Sequence, residues 1–188
     1  HFTFEDAASD GYTTGPAPSY APVRASDLDR KAQTHKVWLP TLGLAYDLTP
    51  QTQLQASAGR NFIRPYSYMP LVNIYNNNRA RFVAANVKLQ DMFDGYGIER
   101  TDTFDLGLRH QAEHFDVTPT LFYSKHKNLL TTISDSRIIV GGSPVSYQQN
   151  VGKATSYGME LAFNAYVNDR LSFFVNPTYT HFTYDEDI

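Results

Sequence analysis

The sequence predicts an all-β protein, an antiparallel transmembrane β-barrel segment of about six strands, and two observations support this prediction. Apolar and polar residues alternate with a period of two in three pairs of segments, the pattern of strands with one apolar face. Short polar turns within the pairs alternate with long links between them. Short turns on the periplasmic side and long loops outside are typical of outer-membrane barrels.

Each pair of segments is predicted to form a hairpin with a short connection. The three hairpins cover residues 38–62, 101–126 and 155–183, with turns near Gln51, Glu113 and Asp169. The strand patterns are about 9–11 residues long, which is the length of a strand that crosses a bilayer at a tilt. The sequence therefore predicts three membrane-spanning hairpins within a larger barrel.

The alternation also predicts which side chains face lipid and which face the barrel interior. The predicted outward set is Leu44, Leu106, Val117, Leu121, Leu161 and Val175. The predicted inward set is Asp47, Asp105, Arg109, Glu160 and Asn176. Because successive side chains of a strand point to opposite faces, a register slip of one residue would exchange the two sets. Pro119 and Pro177 each remove a ladder hydrogen bond, so we expect a bulge or local break at both.

The three remaining segments are predicted to be long outer loops. They cover residues 1–37, 61–100 and 125–154. Within a compact soluble domain, structureless loops beyond roughly 15 residues are uncommon, whereas an outer-membrane barrel carries them as a rule. The lengths of these links therefore favour the barrel over a soluble β-sandwich.

Composition excludes several classes of protein. The 188 residues include no Cys, so disulfide frameworks, Cys-based zinc sites and Cys nucleophiles are absent. The balance of 16 Lys and Arg against 19 Asp and Glu gives a net charge of -3 and no reason to expect a nucleic-acid partner. No run of about 18 apolar residues offers a transmembrane helix. The chain begins His1-Phe2-Thr3 without a basic leader, and we expect it to be part of a longer precursor.

Three stretches of the sequence resemble the TonB-dependent receptor family. Residues 58–65 (AGRNFIRP) are similar to the family's strand end that runs into a Phe-Arg-Pro loop start, with Ile63 inserted here. Residues 99–108 (ERTDTFDLGL) are similar to its Glu, then acidic-Leu-Gly, strand start. Residues 150–161 (NVGKATSYGMEL) are similar to its Asn-x-Gly, then Gly-x-Glu, strand start. With Leu39-Pro40-Thr41-Leu42 added, the resemblance covers residues 38–183.

The resemblance implies a particular architecture, location and function. It implies a barrel of about 22 strands, closed by an N-terminal plug domain, in the bacterial outer membrane. It also implies uptake of a scarce nutrient, an iron–siderophore chelate or a similar small molecule, with energy coupling through TonB. The partners implied are outer-membrane lipid, the chelate, the plug and TonB. The sequence at hand contains neither the plug nor the TonB box.

The predicted loop 61–100 concentrates aromatic and arginine side chains. Rings and guanidinium groups together can bind a planar or anionic chelate by stacking and charge. We expect Tyr66, Tyr68, Arg79 and Arg81 to contact ligand. The alternative for these residues is packing within the loop and anchoring at the interface.

Other kinds of site find little support in the sequence. His110 and His114 flank a turn, where a metal pair has to be weighed against solvated side chains, and no metal site is predicted. The loop 61–100 contains no His, which excludes an axial haem ligand there. No Gly-x-Ser-x-Gly, Walker loop or His-Glu-x-x-His is present, so neither an enzyme nor a cofactor is predicted.

Two other functions share much of this pattern and remain open on the sequence alone. A passive porin has the same alternation of strands, turns and loops, and a plug domain upstream would distinguish the receptor from it. A soluble β-sandwich binding module is the second alternative. Partition between the membrane and soluble fractions would distinguish it from a barrel.

Overall fold

The computed structural model of the protein describes residues 2–6, 8–64, 69–168 and 170–185, without the side chains of Phe2, Phe4 and Asp6. The first 37 residues, predicted as a loop, instead form two short strand pairs and a single 3₁₀ turn. Their elements are β1 (Phe2–Asp6), β2 (Tyr12–Thr14), β3 (Pro22–Arg24), the 3₁₀ turn Ser26–Leu28 and β4 (Gln33–Val37). β1 pairs with β4, and β2 with β3, both antiparallel. In β1 the alternation of Phe2 and Phe4 with Thr3 and Glu5 covers only four residues, and β2 to β4 show no apolar alternation, so the pattern of the sequence did not predict these strands.

The main sheet contains the three predicted hairpins. Its strands are β5 (Thr41–Thr49), β6 (Thr52–Ile63), β7 (Glu99–Gln111), β8 (Phe115–Val140), β9 (Ser143–Asn168), β10 (Leu171–Val175) and β11 (Thr178–Tyr184). Their order is β10-β9-β8-β7-β6-β5, all antiparallel, and β11 also pairs with β9. β10 and β11 follow one another along β9 in one continuous register, so the sheet has six strand positions, as predicted.

Both prolines interrupt a ladder without shifting its register. Between β7 and β8 the pairing stops after Gly107↔Thr120 and resumes at His110↔Val117, on either side of Pro119. Pro177 separates β10 from β11, but its carbonyl still accepts a 3.0 Å hydrogen bond from the Leu161 amide. The predicted local break is therefore present at both positions.

The register separates an apolar face from a polar one across all six strand positions. One apolar row joins Leu44, Ala56, Leu106, Leu121, Met159 and Tyr179. The neighbouring row on the opposite face joins Gly43, Ser57, Asp105, Phe122, Gly158 and Thr180. The predicted partition of the strand residues between two faces is confirmed. The large side chains of the apolar row are exposed, Leu44 to 65% and Leu121 to 57%, as a lipid-facing surface requires.

Short turns lie at one end of the sheet, and the longer segments lie at the other. The turns at Pro50–Gln51 and at residues 112–114 join neighbouring strands, and the third predicted turn centre, Asp169, lies outside the described residues. At the opposite end, residues 125–154, predicted as a loop, instead continue β8 and β9. Beyond Lys127, β8 pairs only with β9, and we call this extension, residues 128–152, the ribbon.

Local chemistry explains the ribbon. Gly141 and Gly142 have φ values of 60° and 88° and connect the two strands. A two-residue hairpin turn with positive φ at both positions is the one that matches strand twist, and glycine adopts it without strain. The segment before this pair is rich in β-branched residues, among them Ile138, Ile139 and Val140, and it pairs with the segment that begins at Ser143 as a ladder in place of a loop.

The segment 61–100 was also predicted as a loop, and its described residues instead form three helices. After β6 ends at Ile63, the chain forms α1 (Met69–Asn77), α2 (Arg79–Ala84) and α3 (Leu89–Asp94). None of the helices in the described ranges is long and apolar enough to span a membrane. We call residues 69–96 the helical cap.

Candidate functional site

The helical cap packs through one face of each helix. Apolar residues three and four positions apart share one side of a helix, and here that side is turned inward. The buried residues are Leu71 and Tyr75 of α1, Phe82 of α2, and Leu89, Met92 and Phe93 of α3. The cap therefore has a core of its own, outside the main sheet.

Two other parts of the chain complete this core. The 3₁₀ turn contributes Leu28, and the ribbon contributes Ile138 and Tyr147. The Phe82 ring lies between two tyrosines, with centroid distances of 4.9 Å to Tyr75 and 6.5 Å to Tyr147. Much of the aromatic content of segment 61–100 thus serves packing within the segment, the alternative to ligand contact.

An ion pair fastens the helical cap to the 3₁₀ turn. Arg79 donates from Nε to Asp27 Oδ2 and from Nη2 to Asp27 Oδ1, each over 2.7 Å. The Tyr75 hydroxyl lies 3.1 Å from both Asp27 Oδ2 and the Val87 carbonyl oxygen. A planar guanidinium held by two parallel hydrogen bonds has a fixed direction as well as a fixed position.

The ionisation of this group follows from its contacts. The hydrogen bond from Arg79 lowers the pKa of Asp27 below its ordinary value, against the opposing effect of burial. Burial, with the neighbouring Asp27 carboxylate, raises the pKa of Tyr75 above its ordinary value. At neutral pH the set is therefore a carboxylate, a guanidinium and a neutral phenol.

A cleft of about 420 Å³ lies beside this ion pair. It lies between the β2–β3 pair and the junction of α1 and α2, and its lining includes Tyr12, Tyr20, Pro22, Leu28, Asn76 and Arg79. The rings of Tyr12 and Tyr20 are 59% and 63% exposed. The ion pair uses Nε and Nη2 of Arg79, and no described residue accepts a hydrogen bond from its Nη1. The cleft thus combines two accessible rings, an amide and one edge of a guanidinium.

The structure describes two of the four residues predicted as ligand contacts, and only one of these two lines the cleft. Tyr66 and Tyr68 lie outside the described residues. Arg79 lines the cleft, while Arg81 is exposed elsewhere on α2. The cleft residues Tyr12, Tyr20 and Asn76 were not predicted, because no local pattern reports that residues more than 50 positions apart meet.

The ribbon carries a second polar group. Asp135 accepts hydrogen bonds from Arg137 Nε at 2.9 Å and Nη2 at 2.6 Å, and from the Tyr147 hydroxyl at 3.0 Å. The hydrogen bond from Arg137 lowers the pKa of Asp135 to about 2. Burial raises the pKa of Tyr147 to about 12. Within the described residues, no three His, Asp or Glu side chains are grouped as metal ligands.

The family model described as "TonB dependent receptor-like, beta-barrel" matches residues 3–188. The chain belongs to the TonB-dependent receptor family. Barrels of this family lie in the outer membrane of Gram-negative bacteria, so the main sheet is a section of an outer-membrane barrel wall. The members named below are receptors and transporters.

Individual relatives agree with this assignment. The chain is 29% identical over 140 residues to the metal-pseudopaline receptor CntO of Pseudomonas aeruginosa, an alignment that covers 74% of this chain and 16% of CntO. The siderophore receptor PirA of P. aeruginosa superposes with a TM-score of 0.58 and 18% identity, over 85% of this chain and 30% of PirA. The FrpB iron transporter of Neisseria meningitidis superposes with a TM-score of 0.57 and 17% identity, over 82% and 21%.

The chain spans only part of a typical receptor barrel. It covers 31% and 16% of the lengths of the first curated relatives that it matches. The two structural superpositions, below 25% identity, establish the fold alone. What the chain itself contains is the wall, the helical cap and the ribbon.

The family motifs meet where the ribbon leaves the receptor wall. Asn150 of the Asn-x-Gly motif accepts a 2.7 Å hydrogen bond from the Gly97 amide and donates over 2.8 Å to the Asn128 carbonyl. Glu99 of the second motif accepts a 2.9 Å hydrogen bond from the Leu130 amide. The Asn150 backbone amide also donates over 2.8 Å to the Gly95 carbonyl of the helical cap. These residues therefore join the helical cap, the ribbon and the wall, a structural role that the sequence resemblance alone did not define.

Proposed function

We propose that this chain is the barrel wall and outer cap of a receptor that takes up a metal chelate, an iron–siderophore complex, with energy supplied through TonB. The observation that supports this proposal best is the cleft beside Arg79, at the end of the sheet opposite the short turns. In an outer-membrane barrel that end faces the outside, where a chelate is first met. The relatives CntO and PirA, named as receptors for metal-pseudopaline and siderophores, support the same class of ligand.

The lining of the cleft suits an anionic, partly planar ligand. Tyr12 and Tyr20 offer ring faces for stacking, and their exposure means that a ligand displaces water and not protein. Arg79 offers a guanidinium edge whose direction is fixed by Asp27, and oriented donors lose less freedom on binding. Asn76 adds an amide that can donate or accept. Tyr66, Tyr68 and Arg81 stay predicted contacts.

The two alternative functions are less well supported. In the described part of the chain the apolar face of the main sheet is exposed, whereas a soluble β-sandwich would cover it with a second sheet. Membership of the TonB-dependent family favours the energised receptor over both.

Uptake by the full-length receptor tests the proposal. The receptor is expressed in cells that lack their own chelate receptors, with and without TonB, and given ⁵⁵Fe(III) complexes of a catecholate, a hydroxamate and a carboxylate chelator. We expect one class to be accumulated, and only when TonB is present. Equal accumulation without TonB would overturn the coupling, and no accumulation of any class would overturn the iron-chelate assignment.

Variants of the cleft connect that uptake to the site. Replacing Tyr12 and Tyr20 together by Ala is expected to weaken chelate binding about tenfold, since each ring stack contributes about 0.5–1.5 kcal/mol. The matched control replaces both by Phe, which keeps the rings and should keep most of the affinity. The sequence-predicted set Tyr66, Tyr68, Arg79 and Arg81 is tested in parallel by conversion to Ala. If the variant of either set folds as a barrel and binds the chelate with wild-type affinity, the residues of that set do not belong to the site.

A further inference from the structure

A band of basic side chains crosses the apolar face of the wall at its outer end. One row of the register joins Arg60, Asp102, Lys125 and Thr155, and the next joins Phe62, Arg100, Lys127 and Lys153. These positions have the same strand phase as Leu106 and Leu121, so they lie on the lipid-facing side and not in the barrel interior. We call Arg60, Arg100, Lys125, Lys127 and Lys153 the basic band.

The band lies directly above a row of aromatic side chains on the same face. Phe104, Tyr123 and Tyr157 are register partners in the row just below Asp102 and Lys125. Amphipathic rings such as those of Tyr and Trp mark the level where hydrocarbon gives way to headgroups. The basic band therefore begins one row beyond that level.

A second group of aromatic residues, at the other end of the apolar face, allows the height of the apolar band to be measured. Phe115, Phe163 and Phe173 lie at the opposite end of the same face, with ring centroids 6.1 Å and 6.3 Å apart along the series. Phe115 and Tyr123 are eight residues apart in β8, about 27 Å along a strand at about 3.4 Å per residue. If β8 is tilted by about 40° from the membrane normal, the two rings are about 20 Å apart along the normal. This distance is close to the ~25 Å height of the apolar band of such barrels. Lys125 and Lys127 thus reach the headgroup layer.

A groove of about 360 Å³ connects the aromatic row to the basic band. Its apolar lining includes Leu42, Ala58, Phe104 and Tyr123. Its upper edge is polar and is formed by Arg60, Asp102 and Lys125. A groove with an apolar floor and a cationic edge matches a molecule with an acyl chain and an anionic head.

Within the described part of the chain, carboxylates pair with only part of the band. Asp102 accepts hydrogen bonds from Arg60 Nε at 2.5 Å and Nη2 at 3.1 Å, so one carboxylate offsets one guanidinium. Lys125 and Lys127 are exposed and form no ion pair with any described residue. The Nε of Arg100 is buried and has no hydrogen-bond partner within the described part of the chain. Cations at the edge of a low-dielectric layer are stabilised by a counter-ion, and no described carboxylate forms an ion pair with Lys125 or Lys127.

We propose that the basic band and the groove below it bind a phosphorylated lipid of the outer leaflet. The phosphate groups lie against Arg100, Lys125 and Lys127, and one acyl chain fills the groove beside Phe104 and Tyr123. Phosphate suits this site because Arg and Lys both bind it through charge-assisted hydrogen bonds. The site is separate from the chelate cleft and faces the membrane.

The test uses the full-length receptor purified in detergent and a defined lipid probe. The probe is lipid A with both phosphates, and its dephosphorylated form keeps the same acyl chains. Native mass spectrometry gives the dissociation constant of each. We expect the phosphorylated form to bind at least tenfold more tightly, and equal affinity for the two forms would overturn the proposal.

Variants at the site sharpen the test. Changing Arg100, Lys125 and Lys127 together to Gln should weaken binding on the order of 100-fold, since each basic residue near an anionic surface contributes about fivefold (about 1 kcal/mol). The matched control makes the same change to Gln at three exposed cations away from the band, Lys36, Lys88 and Arg170. It should alter the affinity for the phosphorylated probe less than about twofold.

A variant that removes a negative charge from the band is informative even if the triple change impairs folding. Asp102→Asn removes the carboxylate that occupies Arg60, so it should tighten binding of the phosphorylated probe about fivefold. It should leave the affinity for the dephosphorylated probe unchanged. Weaker binding of the phosphorylated probe to Asp102→Asn, or an equal loss in the triple variant and its control, would contradict the proposal.

Discussion

Arg79 and Asp27, 52 residues apart in the chain, form a two-pronged ion pair with both distances at 2.7 Å. The pair joins the helical cap to the N-terminal segment and sets the direction of the guanidinium that lines the cleft. Its side chains are 32% and 18% exposed, so solvent screens the pair only in part. The stability of the cap and the shape of the cleft therefore depend on the same contact.

Arg79→Ala is expected to loosen the helical cap without unfolding the barrel. Its loss leaves the Asp27 carboxylate partly buried and without its main donor, which costs on the order of 1–3 kcal/mol. Hydrogen exchange in residues 25–29 and 69–96 of the full-length receptor should accelerate. The heat-modifiable gel mobility of the barrel should stay as in the wild type.

The double variant provides the control for this prediction. Asp27→Asn combined with Arg79→Ala removes both charges, so it should cost less than the sum of the single changes. Additive effects would show that the two side chains do not act on one another. Faster exchange in β6 or β7 would show that the ion pair supports the wall and not only the cap.

Acid should destabilise the ribbon through Asp135. Its pKa of about 2 in the folded protein is below the unfolded value of about 3.9, so its contribution to stability is complete above pH 4. That contribution, on the order of 1–2 kcal/mol after screening, is lost as the pH falls from about 4 to about 2. Pepsin should therefore cleave residues 128–152 faster at pH 2 than at pH 4, relative to an unfolded peptide of the same sequence.

Asp135→Asn identifies the group responsible for this pH dependence. An amide cannot ionise, so the variant should be cleaved readily at both pH values and should lose most of the difference. Asp91→Asn, on the neighbouring helix α3, serves as the matched control and should keep the wild-type profile in the ribbon. An unchanged profile in Asp135→Asn would assign the acid sensitivity to another group.

The main sheet could be predicted from the sequence because its information is local. Leu42, Leu44 and Tyr46 alternate with small or polar residues, and this period alone defines a strand and its faces. The ribbon is harder to predict, because residues 143–150 after the Gly141–Gly142 turn contain a single β-branched residue, Val145, and show no clear alternation. The helices could not be predicted from periodicity, because α1, α2 and α3 have only 9, 6 and 6 residues, too few for a period of 3.6 to become clear.

The cleft could not be predicted in the same way. Tyr12 and Tyr20 lie in a Pro- and Gly-containing stretch, and neither residue has a pattern that indicates a partner in α1. Arg79 was predicted as a site residue from its chemistry, but its contact with Asp27 depends on the fold of the whole outer end. Such long-range contacts are set by tertiary packing and not by the local sequence.

Labels on adjacent residues of β7 test which face of the wall meets lipid. Leu106 belongs to the exposed apolar row, and Asp105 belongs to the polar row, where the Ser57 hydroxyl donates to it over 2.8 Å. A spin label at 106 should be accessible to oxygen dissolved in the bilayer, and a label at 105 to a water-soluble nickel complex. The opposite accessibilities would mean that the register is inverted by one residue.

Gly158 should be the least replaceable glycine on the inner face of the wall. A methyl group there would meet the Tyr179 carbonyl of the paired strand, and the Phe122 ring would lie only 2.7 Å away. This contact also explains why Phe122 departs from the polar pattern of its face, since its ring covers the position where Gly158 has no side chain. Gly158→Ala should therefore cost about 1–3 kcal/mol, because the obstacle includes backbone that cannot rotate away.

The same row of the register contains the matched control for Gly158. Gly43 is on the same face, but an added methyl group meets nothing within 4 Å. Urea unfolding of the full-length receptor, followed by heat-modifiable gel mobility, should show a lower midpoint for Gly158→Ala and little change for Gly43→Ala. Adding Phe122→Ala to Gly158→Ala should restore only part of the loss, because the Tyr179 carbonyl remains. Equal midpoints for the two single variants would mean that β9 and its partner strand are farther apart than this register places them.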